Sequence, residues 1–315
     1  LDAAGGELTD VVGHAIAARE ADYACWIAEG FTDYFIRQDR YHECRAALES
    51  SLPLVDAVTD RRMTSSLRTC LGIAYGMQGS QEQAHACFAA ALRNSQRSGD
   101  IREQARARGG LGLVAEVRGR LAEAAEELTE VLELARPLDD DWLLGMAMFH
   151  LGMIHHRSGE RDKSLDFLAA SMACAEKIGS PRPIAKTLCY ISVLHLDVGQ
   201  YAEAVALLRR AADVAEDAGD RSLRALSLTR LGSAEQGLGN LDRAVELHHQ
   251  ALVAITEQTN VETEIEVRNR LGDTYLATGD GTKAREQFKL VLDLVGDSGN
   301  PEERSRALHG LDRSI

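Results

Sequence analysis

The sequence has no long uninterrupted apolar run and no excess of positive charge. A membrane-spanning helix needs about 18 or more apolar residues in succession, so we expect a cytoplasmic protein that makes no membrane contact. The net charge of −14, from 49 acidic and 35 basic residues, repels phosphate backbones and argues against direct contact with nucleic acid. None of the six cysteines forms a CxxC pair, and we predict buried thiols rather than disulfides or a zinc site.

The sequence also lacks the short motifs of common enzymes. It contains no P-loop, no HExxH and no GxSxG. The run Gly109-Gly110-Leu111-Gly112 follows no predicted strand, so we interpret it as helix-packing glycines. His155, His156 and His195 have no further ligand at metal-binding spacing, and His155 and His195 are expected to stack between helices. We therefore predict a protein that is not an enzyme and that needs no cofactor or metal.

What the sequence does have is an internal repeat of 40 residues without insertions. A Leu-Gly pair marks the repeat, with Ile191-Ser192 taking its place once. The pairs are Leu71-Gly72, Leu111-Gly112, Leu151-Gly152, Leu231-Gly232 and Leu271-Gly272. Because repeats of this length are one supersecondary unit each, the fold follows from reading one of them.

The sequence predicts two helices in each repeat, because apolar residues between the glycines are spaced three and four residues apart. A glycine column is expected to end the first helix in a left-handed conformation: Gly79, Gly119, Gly159, Gly199, Gly239 and Gly279. A small column lets the second helix approach the first closely: Cys44, Ala84, Ala124, Ser164, Ala204, Ala244 and Ala284. A bulky column follows four residues later: Leu48, Phe88, Leu128, Leu168, Leu208, His248 and Phe288.

A further column is made of residue types that favour helix N-caps. Its members are Asp60, Asp100, Asp140, Ser180, Asp220, Asn260 and Asn300. The capping-box spacing is kept from Asp100 to Glu103 and from Asn300 to Glu303. Pro181 and Pro301 follow cap residues at the first helical position, where a missing N–H costs little.

These columns resemble the tetratricopeptide repeat (TPR). Two repeats carry its pattern most fully: Leu71, Gly72, Tyr75, Gly79, Ala84, Phe88 and Ala91, and Leu271, Gly272, Tyr275, Gly279, Ala284 and Phe288. The resemblance implies an all-α fold, a right-handed α-solenoid of stacked antiparallel helix pairs. The period of 40 and the missing closing proline depart from the usual pattern of 34 residues. Repeats of 40 residues are typical of a subclass found in spindle-orientation scaffolds and in the C-terminal arrays of bacterial STAND (NB-ARC-type) transcriptional regulators. The repeats of this chain are more similar to those of the regulators.

We expect three segments in the chain. Residues 1–19 are a partial preceding repeat or capping helix, 20–300 form seven repeats, and 301–315 begin a further repeat or capping helix. An array cut at both ends exposes apolar faces, so we expect a piece of a longer polypeptide.

The resemblance places the first helices on a concave face that binds partners. Counted by column, the candidate binding residues on this face are Met146, Phe149, His150, Met153, His156, Arg157, Lys186, Tyr190, Arg230, Asn269, Arg270 and Asp273. Such a set suits an apolar side chain beside a carboxylate or phosphate. Each apolar residue of this set has interior packing as an alternative role. For Arg230 and Arg270 the alternative is a salt bridge to the next repeat.

From this we expect a module that binds a peptide, a protein segment or a small effector, as the C-terminal sensor or interaction arm of a multidomain bacterial regulator. A free-standing scaffold that joins partner proteins is the alternative. In that case a homodimer through the end repeats is expected.

Overall fold

The computed structural model describes residues 2–18, 20–37, 40–255, 261–296 and 301–314. Within these ranges the chain is an α-solenoid of stacked antiparallel helix pairs, and no strand occurs in them. The chain divides into two compact units, residues 1–178 and 179–315. No helix in the described part of the chain is long and apolar enough to span a membrane.

The first unit contains ten α-helices in its described residues. They are α1 (Asp2–Ala17), α2 (Ala21–Gly30), α3 (Thr32–Arg37), α4 (Tyr41–Ser51), α5 (Met63–Met77), α6 (Gln81–Ser98), α7 (Ile101–Val117), α8 (Leu121–Ala135), α9 (Asp141–Arg157) and α10 (Arg161–Ile178). Short 3-10 helices follow α4 (Leu52–Ala57) and α8 (Arg136–Leu138). Each of the first helices α5, α7 and α9 packs against its own second helix, and α7 packs against both α5 and α9.

The second unit repeats this arrangement. Its described helices are α11 (Pro181–Leu196), α12 (Tyr201–Asp217), α13 (Arg221–Gly237), α14 (Leu241–Ala254), α15 (Val261–Thr278), α16 (Gly281–Val295) and α17 (Pro301–Arg313). The first helices α11, α13, α15 and α17 again pack side by side.

The glycines between the paired helices take the conformation that the sequence predicts. All six have φ between 73° and 84°, in the left-handed region that a side chain disfavours. The chain therefore turns back sharply, and the small column of the second helix comes into contact with the first. Every member of that column is buried, from Cys44 to Ala284.

The predicted N-caps are confirmed in part. The side chains of Asp100, Asp140 and Asp220 each accept a backbone N–H three residues later. Ser180 makes no such bond. Asp60 instead accepts the N–H of the residue two positions on, just before α5 begins. Asn260 and Asn300 lie outside the described residues.

The capping box predicted at Asp100 is only half formed. Asp100 accepts the N–H of Glu103 at 3.0 Å. The Glu103 carboxylate, however, accepts from Arg106 at 2.6 Å, while the N–H of Asp100 donates to the Ser95 carbonyl. The physical reason is charge: a guanidinium one turn away is a stronger partner for a carboxylate than a backbone amide.

The first repeat departs most from the others. Its first helix is broken at Phe31 into α2 and α3, and its second helix passes into a 3-10 helix containing Pro53. Proline cannot supply the N–H that would continue α4. Neither feature is visible in the 40-residue columns.

The six cysteines are free thiols, and the prediction of buried thiols is confirmed for all but Cys87 and Cys174. Four of them are buried and two are half-buried. Burial raises the pKa of Cys25 to about 11 and that of Cys44 to about 12. Thiols with pKa values this high hold little thiolate at neutral pH and behave as small apolar residues.

Asp139 occupies a position where other repeats carry Gly99, Gly179 or Gly219. It is the one described residue other than glycine with positive φ, at 48°. Its carboxylate lies 3.5 Å from Lys177 Nζ, but both side chains are mostly exposed, so the pair contributes little.

We expect Asp139→Gly to stabilise the protein by about 0.5–1 kcal/mol, because glycine relieves the left-handed conformation at no loss of packing. The shift of the urea midpoint at constant m-value measures it. Gly99→Asp is the matched control and should destabilise. A loss of stability in Asp139→Gly would show that the carboxylate matters more than the backbone.

His248 stands in the bulky column, where four other repeats carry leucine. It is fully buried, and neither ring nitrogen has a hydrogen-bond partner among the described residues. Burial lowers the pKa of this imidazole to about 3, and the neighbouring Arg270 and His249 act in the same direction. The ring is therefore neutral at physiological pH and carries two unsatisfied polar atoms.

We expect His248→Leu to stabilise the protein by about 1–3 kcal/mol at pH 7.5, the usual cost of an unsatisfied buried polar group. Below pH 6.5 the unfolded state binds a proton at His248 that the folded state does not bind until about pH 3. The wild-type protein should therefore lose stability relative to the variant across this range as the pH falls. Urea unfolding at pH 7.5 and 4.5 tests this, and an equal difference at both pH values would contradict it.

Candidate functional site

A cavity of about 220 Å³ lies on the first-helix face of unit 1, between α5, α7 and α9. Its walls are almost entirely apolar. The lining residues are Thr69, Gly72, Ile73, Gly76, Met77, Gln81, Phe88, Arg106, Gly109, Gly110, Leu113, Val114, Val117, Trp142 and Met146.

Glycines on neighbouring first helices make room for this cavity. A Cβ at Gly110 would lie 2.3 Å from the Phe88 ring, and one at Gly109 would lie 2.7 Å from the Met146 methyl. Larger residues at these positions would push Phe88 and Met146 into the space. Gly76 is different, because the nearest atom to an added Cβ is 3.9 Å away. The prediction that the 109–112 run packs helices is confirmed, and the same residues form a pocket wall.

Two polar groups of the wall, on Thr69 and Arg106, are engaged within the protein. The Thr69 hydroxyl donates to the Ser65 carbonyl at 3.0 Å. The Arg106 guanidinium donates to the Glu103 carboxylate at 2.6 Å and to the Ser66 hydroxyl at 2.9 Å. Burial raises the pKa of Glu103, and Arg106 opposes that shift. An occupant of the cavity therefore meets mainly carbon atoms.

Exposed apolar side chains surround the mouth of the cavity. Met77 is 47% exposed, Val117 67% and Trp142 47%. Three exposed apolar residues around one apolar cavity form a patch that is suited to a binding partner.

The six predicted site residues of unit 1 all lie on α9 and share one face of it by register. Met146 lines the cavity. His150 Nδ1 lies 2.8 Å from a Glu116 carboxylate oxygen, and Arg157 donates to the Glu116 carbonyl at 3.3 Å. Met153 and His156 are half-buried, but Phe149 is only 5% exposed. The expectation that Phe149 lies on an open face is therefore wrong, because its ring packs inward.

The six predicted residues of unit 2 lie on three first helices. Lys186 is exposed and Tyr190 half-buried on α11. Arg230 on α13 lies 3.9 Å from Glu266 on the next first helix, which is the salt bridge that the sequence left open. Asp273 accepts from Arg306 on α17.

Asn269 and Arg270 differ although they are adjacent on α15. Asn269 is fully buried and its amide donates to Glu303, both to the carbonyl at 3.1 Å and to the carboxylate at 2.6 Å. Its predicted place on the open face is therefore wrong. Arg270 is half-buried and forms no hydrogen bond or ion pair with any described residue.

A second cavity, of about 440 Å³, lies on the first-helix face of unit 2. Side chains of three first helices line it: Gln236, Asp273, Leu276, Ala277, Arg306, His309, Gly310 and Arg313. No group of three or more His, Cys, Asp or Glu side chains in the described ranges is placed to hold a metal ion.

A sequence model of the tetratricopeptide repeat matches residues 103–177, 183–257 and 223–297. The chain belongs to the tetratricopeptide repeat family. It is 26% identical over 241 residues to the regulatory protein AfsR of Streptomyces griseus. The match covers 76% of this chain and 24% of that relative, so the chain spans about a quarter of the relative's length.

Solved structures share the fold at low identity. A STAND protein with a TPR sensor from Pyrococcus horikoshii superposes with a TM-score of 0.68 at 15% identity, covering 98% of this chain and 49% of that one. The Rap conjugation gene regulator of plasmid pLS20, in complex with the Phr* peptide, gives a TM-score of 0.67 at 14% identity, covering 93% and 77%. At this identity the likeness shows a TPR solenoid and no more.

The TPR columns could have located the residues that the sequence reading missed. Met77 and Val117 stand two repeats and one repeat before Arg157, respectively, in the same column. Likewise Arg306, His309 and Arg313 stand four repeats after Met146, Phe149 and Met153. Extending each predicted column in both directions would have found both cavities.

We expect Gly76→Ala to stabilise the protein by about 0.5–1 kcal/mol, because alanine favours the helix and the added methyl meets no atom closely. Thermal unfolding followed by circular dichroism measures the gain. Gly110→Ala is the control, and it should destabilise because its methyl would clash with Phe88. If both variants lose stability, the open space at Gly76 is not present in solution.

Proposed function

We propose that the chain is a non-catalytic TPR domain that binds a peptide or effector, and that it acts as the C-terminal sensor or interaction arm of a multidomain bacterial regulator in the cytoplasm. The observation that carries the proposal is the apolar cavity of unit 1. Its volume of about 220 Å³ is below the roughly 300–1,000 Å³ of pockets that enclose whole ligands. It exceeds the roughly 150 Å³ that holds a benzene ring.

A cavity of this size holds one large apolar side chain of a longer ligand. Thr69 and Arg106 in its wall are engaged within the protein, so the occupant needs no hydrogen-bonding atoms to satisfy them. The exposed Met77, Val117 and Trp142 can then cover the remainder of that residue. An anchor side chain in a desolvated pocket is the usual centre of a peptide interface.

The comparisons support a regulatory role. AfsR is named a regulatory protein, and the P. horikoshii protein joins a TPR sensor to a STAND ATPase. The Rap regulator of pLS20 is a TPR-like solenoid bound to a peptide. In such an arm, the ligand acts by binding one state of the whole protein more tightly than another.

Peptide binding is tested by selection from a random twelve-residue display library followed by fluorescence polarisation. We expect selected peptides to share a large apolar residue. Val117→Glu should weaken their binding by about tenfold or more, because a carboxylate at the mouth is desolvated by the bound side chain. Val117 is 67% exposed, so the change should leave folding intact.

Val253→Glu is the matched control, since Val253 is 83% exposed on the second helix α14. It should not alter binding. Selected peptides that bind Val117→Glu as tightly as the wild-type protein would exclude the cavity as their site. A library that yields no binder would count against peptide recognition altogether.

A scaffold role is the second candidate, and one observation favours it. Tyr23 and Trp26 on α2 are 59% and 48% exposed and contact each other edge to face. Exposed aromatic residues are typical of protein interfaces. Intact-mass analysis of the endogenous polypeptide separates the two roles. A polypeptide with an upstream nucleotide-binding domain supports the regulatory arm, and one of about this length supports the scaffold.

A further inference from the structure

Helix α2 of unit 1 exposes two aromatic rings at positions that are covered elsewhere in the array. Tyr23 is 59% exposed. Four members of its 40-residue column in other repeats are buried: Met63, Glu103, Leu143 and Leu223. Trp26, one turn further along α2, is 48% exposed, and its ring contacts that of Tyr23 edge to face with 6.3 Å between the ring centroids. Exposed aromatic rings of this kind mark a protein interface.

The aromatic pair lies on the same face of unit 1 as the apolar cavity. Glu29, three residues after Trp26, accepts a hydrogen bond from Ser66 on α5, and its carboxylate lies 3.9 Å from the Arg106 guanidinium on α7. Arg106 lines the cavity. Residues three apart in a helix share one side of it, so Trp26 and the cavity open on one face.

Trp26 cannot fill the cavity of its own chain. Helix α5 packs between α2 and α7, and neighbouring packed helices are about 8–10 Å apart. The cavity lies between α5, α7 and α9, so α5 separates it from the indole ring. Trp26 therefore reaches such a cavity only in a second copy of the chain.

The cavity suits the side chain of a tryptophan. Its volume of about 220 Å³ exceeds the roughly 150 Å³ that holds a benzene ring, which leaves room for the second ring of an indole. Met77 and Met146 place thioether groups in the wall, and sulfur packs favourably against aromatic rings. Trp142 adds an aromatic surface at the mouth.

The indole N–H also meets an acceptor in the cavity wall. The Thr69 hydroxyl donates to the Ser65 carbonyl at 3.0 Å, which leaves the lone pairs of its oxygen to accept a hydrogen bond. Thr69 lines the cavity, and so does the amide side chain of Gln81. A buried indole needs such a partner, so the wall accommodates tryptophan as well as a purely apolar ring.

Charged groups beside the two surfaces are already paired. Asp22, next to Tyr23, accepts hydrogen bonds from Thr59, and Arg106 in the cavity wall donates to Glu103. Covering paired charges costs less than covering free ones.

Two reciprocal contacts cover enough surface for a dimer. Five side chains of the aromatic pair and the cavity mouth are each 47–67% exposed: Tyr23, Trp26, Met77, Val117 and Trp142. At roughly 100 Å² for each half-exposed side chain, two copies bury about 1,000 Å². This is the lower end of the area of specific interfaces. Because both surfaces lie on one face, a twofold axis brings each aromatic pair onto the cavity of the other copy.

We propose that two copies of this chain associate through a twofold interface in which Trp26 of each copy fills the apolar cavity of the other. The small area predicts a weak dimer, with a dissociation constant of roughly 1–100 μM. A peptide in the cavity then displaces Trp26, so association regulates the peptide site. This last consequence rests on the proposed function, whereas the dimer does not.

Sedimentation velocity of the 315-residue chain from about 1 to 200 μM tests the dimer, in about 0.3 M salt so that repulsion between two chains of charge −14 is screened. We expect dimers and no larger species. Trp26→Ser and Val117→Glu should each weaken association by about tenfold or more, because each change removes both contacts. The matched controls are Leu238→Ser, at 46% exposure, and Val253→Glu, at 83% exposure, and both should associate like the wild-type protein.

An equimolar mixture of the two interface variants tests the reciprocal geometry. The Trp26→Ser chain keeps an intact cavity, and the Val117→Glu chain keeps Trp26. A mixed pair therefore has one complete contact, while neither variant alone has any. Fluorescence polarisation with one variant labelled should show tighter association in the mixture, which also shows that both variants are folded. No recovery between variants of wild-type helicity would contradict the interface.

Tryptophan emission supplies a further readout, because the only two tryptophans of the chain, Trp26 and Trp142, both lie at this interface. The emission should shift to shorter wavelength as the concentration passes through the dissociation constant, since both rings leave water. A dimer that forms without this shift uses another surface.

A chain that stays monomeric, equal weakening by Leu238→Ser, or growth beyond the dimer would overturn the inference. If library peptides bind in a Val117-dependent way while the chain stays monomeric, only the dimer is wrong. If association depends on Trp26 and Val117 but the library yields no binder, the peptide proposal fails by itself. Peptides that depend on Val117 but leave the dimer intact would exclude the cavity as the dimer contact.

Discussion

The close contact between a first-helix glycine and a bulky second-helix side chain holds each regular repeat together. A Cβ added at Gly72, Gly152 or Gly272 would lie 2.6–2.8 Å from the side chain of Phe88, Leu168 or Phe288. A larger residue at these three positions requires the bulky side chain to shift. The left-handed glycine between the helices makes the approach possible, and the buried small column completes it. The Leu-Gly spacing is therefore a packing requirement that the sequence shows directly.

The same contact explains where the cavities form. The bulky column is phenylalanine only at positions 88 and 288, and the residue that each ring meets on the following first helix is Gly110 or Gly310. Three of the repeats with leucine in the bulky column carry it at Leu128, Leu168 and Leu208. The residues at the equivalent place on the following first helix are then the larger His150, Tyr190 and Arg230. Volume is thus exchanged between neighbouring helices, as packed cores require. Each ring fills the interior, and each glycine leaves the first-helix face open. Both cavities include one of these glycines.

Much of the fold follows from the sequence, since turn glycines, aspartate caps and helical periodicity act locally. The caps at Asp100, Asp140 and Asp220 depend on residues three positions away and were predictable. The sites were harder to predict because accessibility depends on contacts between repeats. Asn269 and Arg270 are neighbours in sequence, yet Asn269 is bonded to Glu303 while Arg270 forms no hydrogen bond or ion pair with a described residue. Column position alone does not distinguish them.

The contrast between Arg106 and Arg270 shows how the first-helix faces differ in chemistry. Arg106 lies between Glu103 and Ser66, so its charge is satisfied and the cavity beside it is effectively apolar. Arg270 forms no hydrogen bond or ion pair with a residue that the structure describes, and burial lowers the pKa of its guanidinium. Any ligand that binds only the folded state stabilises that state by mass action, so binding at such a face and folding stability are linked. In the proposed regulatory arm, a ligand on a first-helix face would act by binding one conformation of the larger protein more tightly than another.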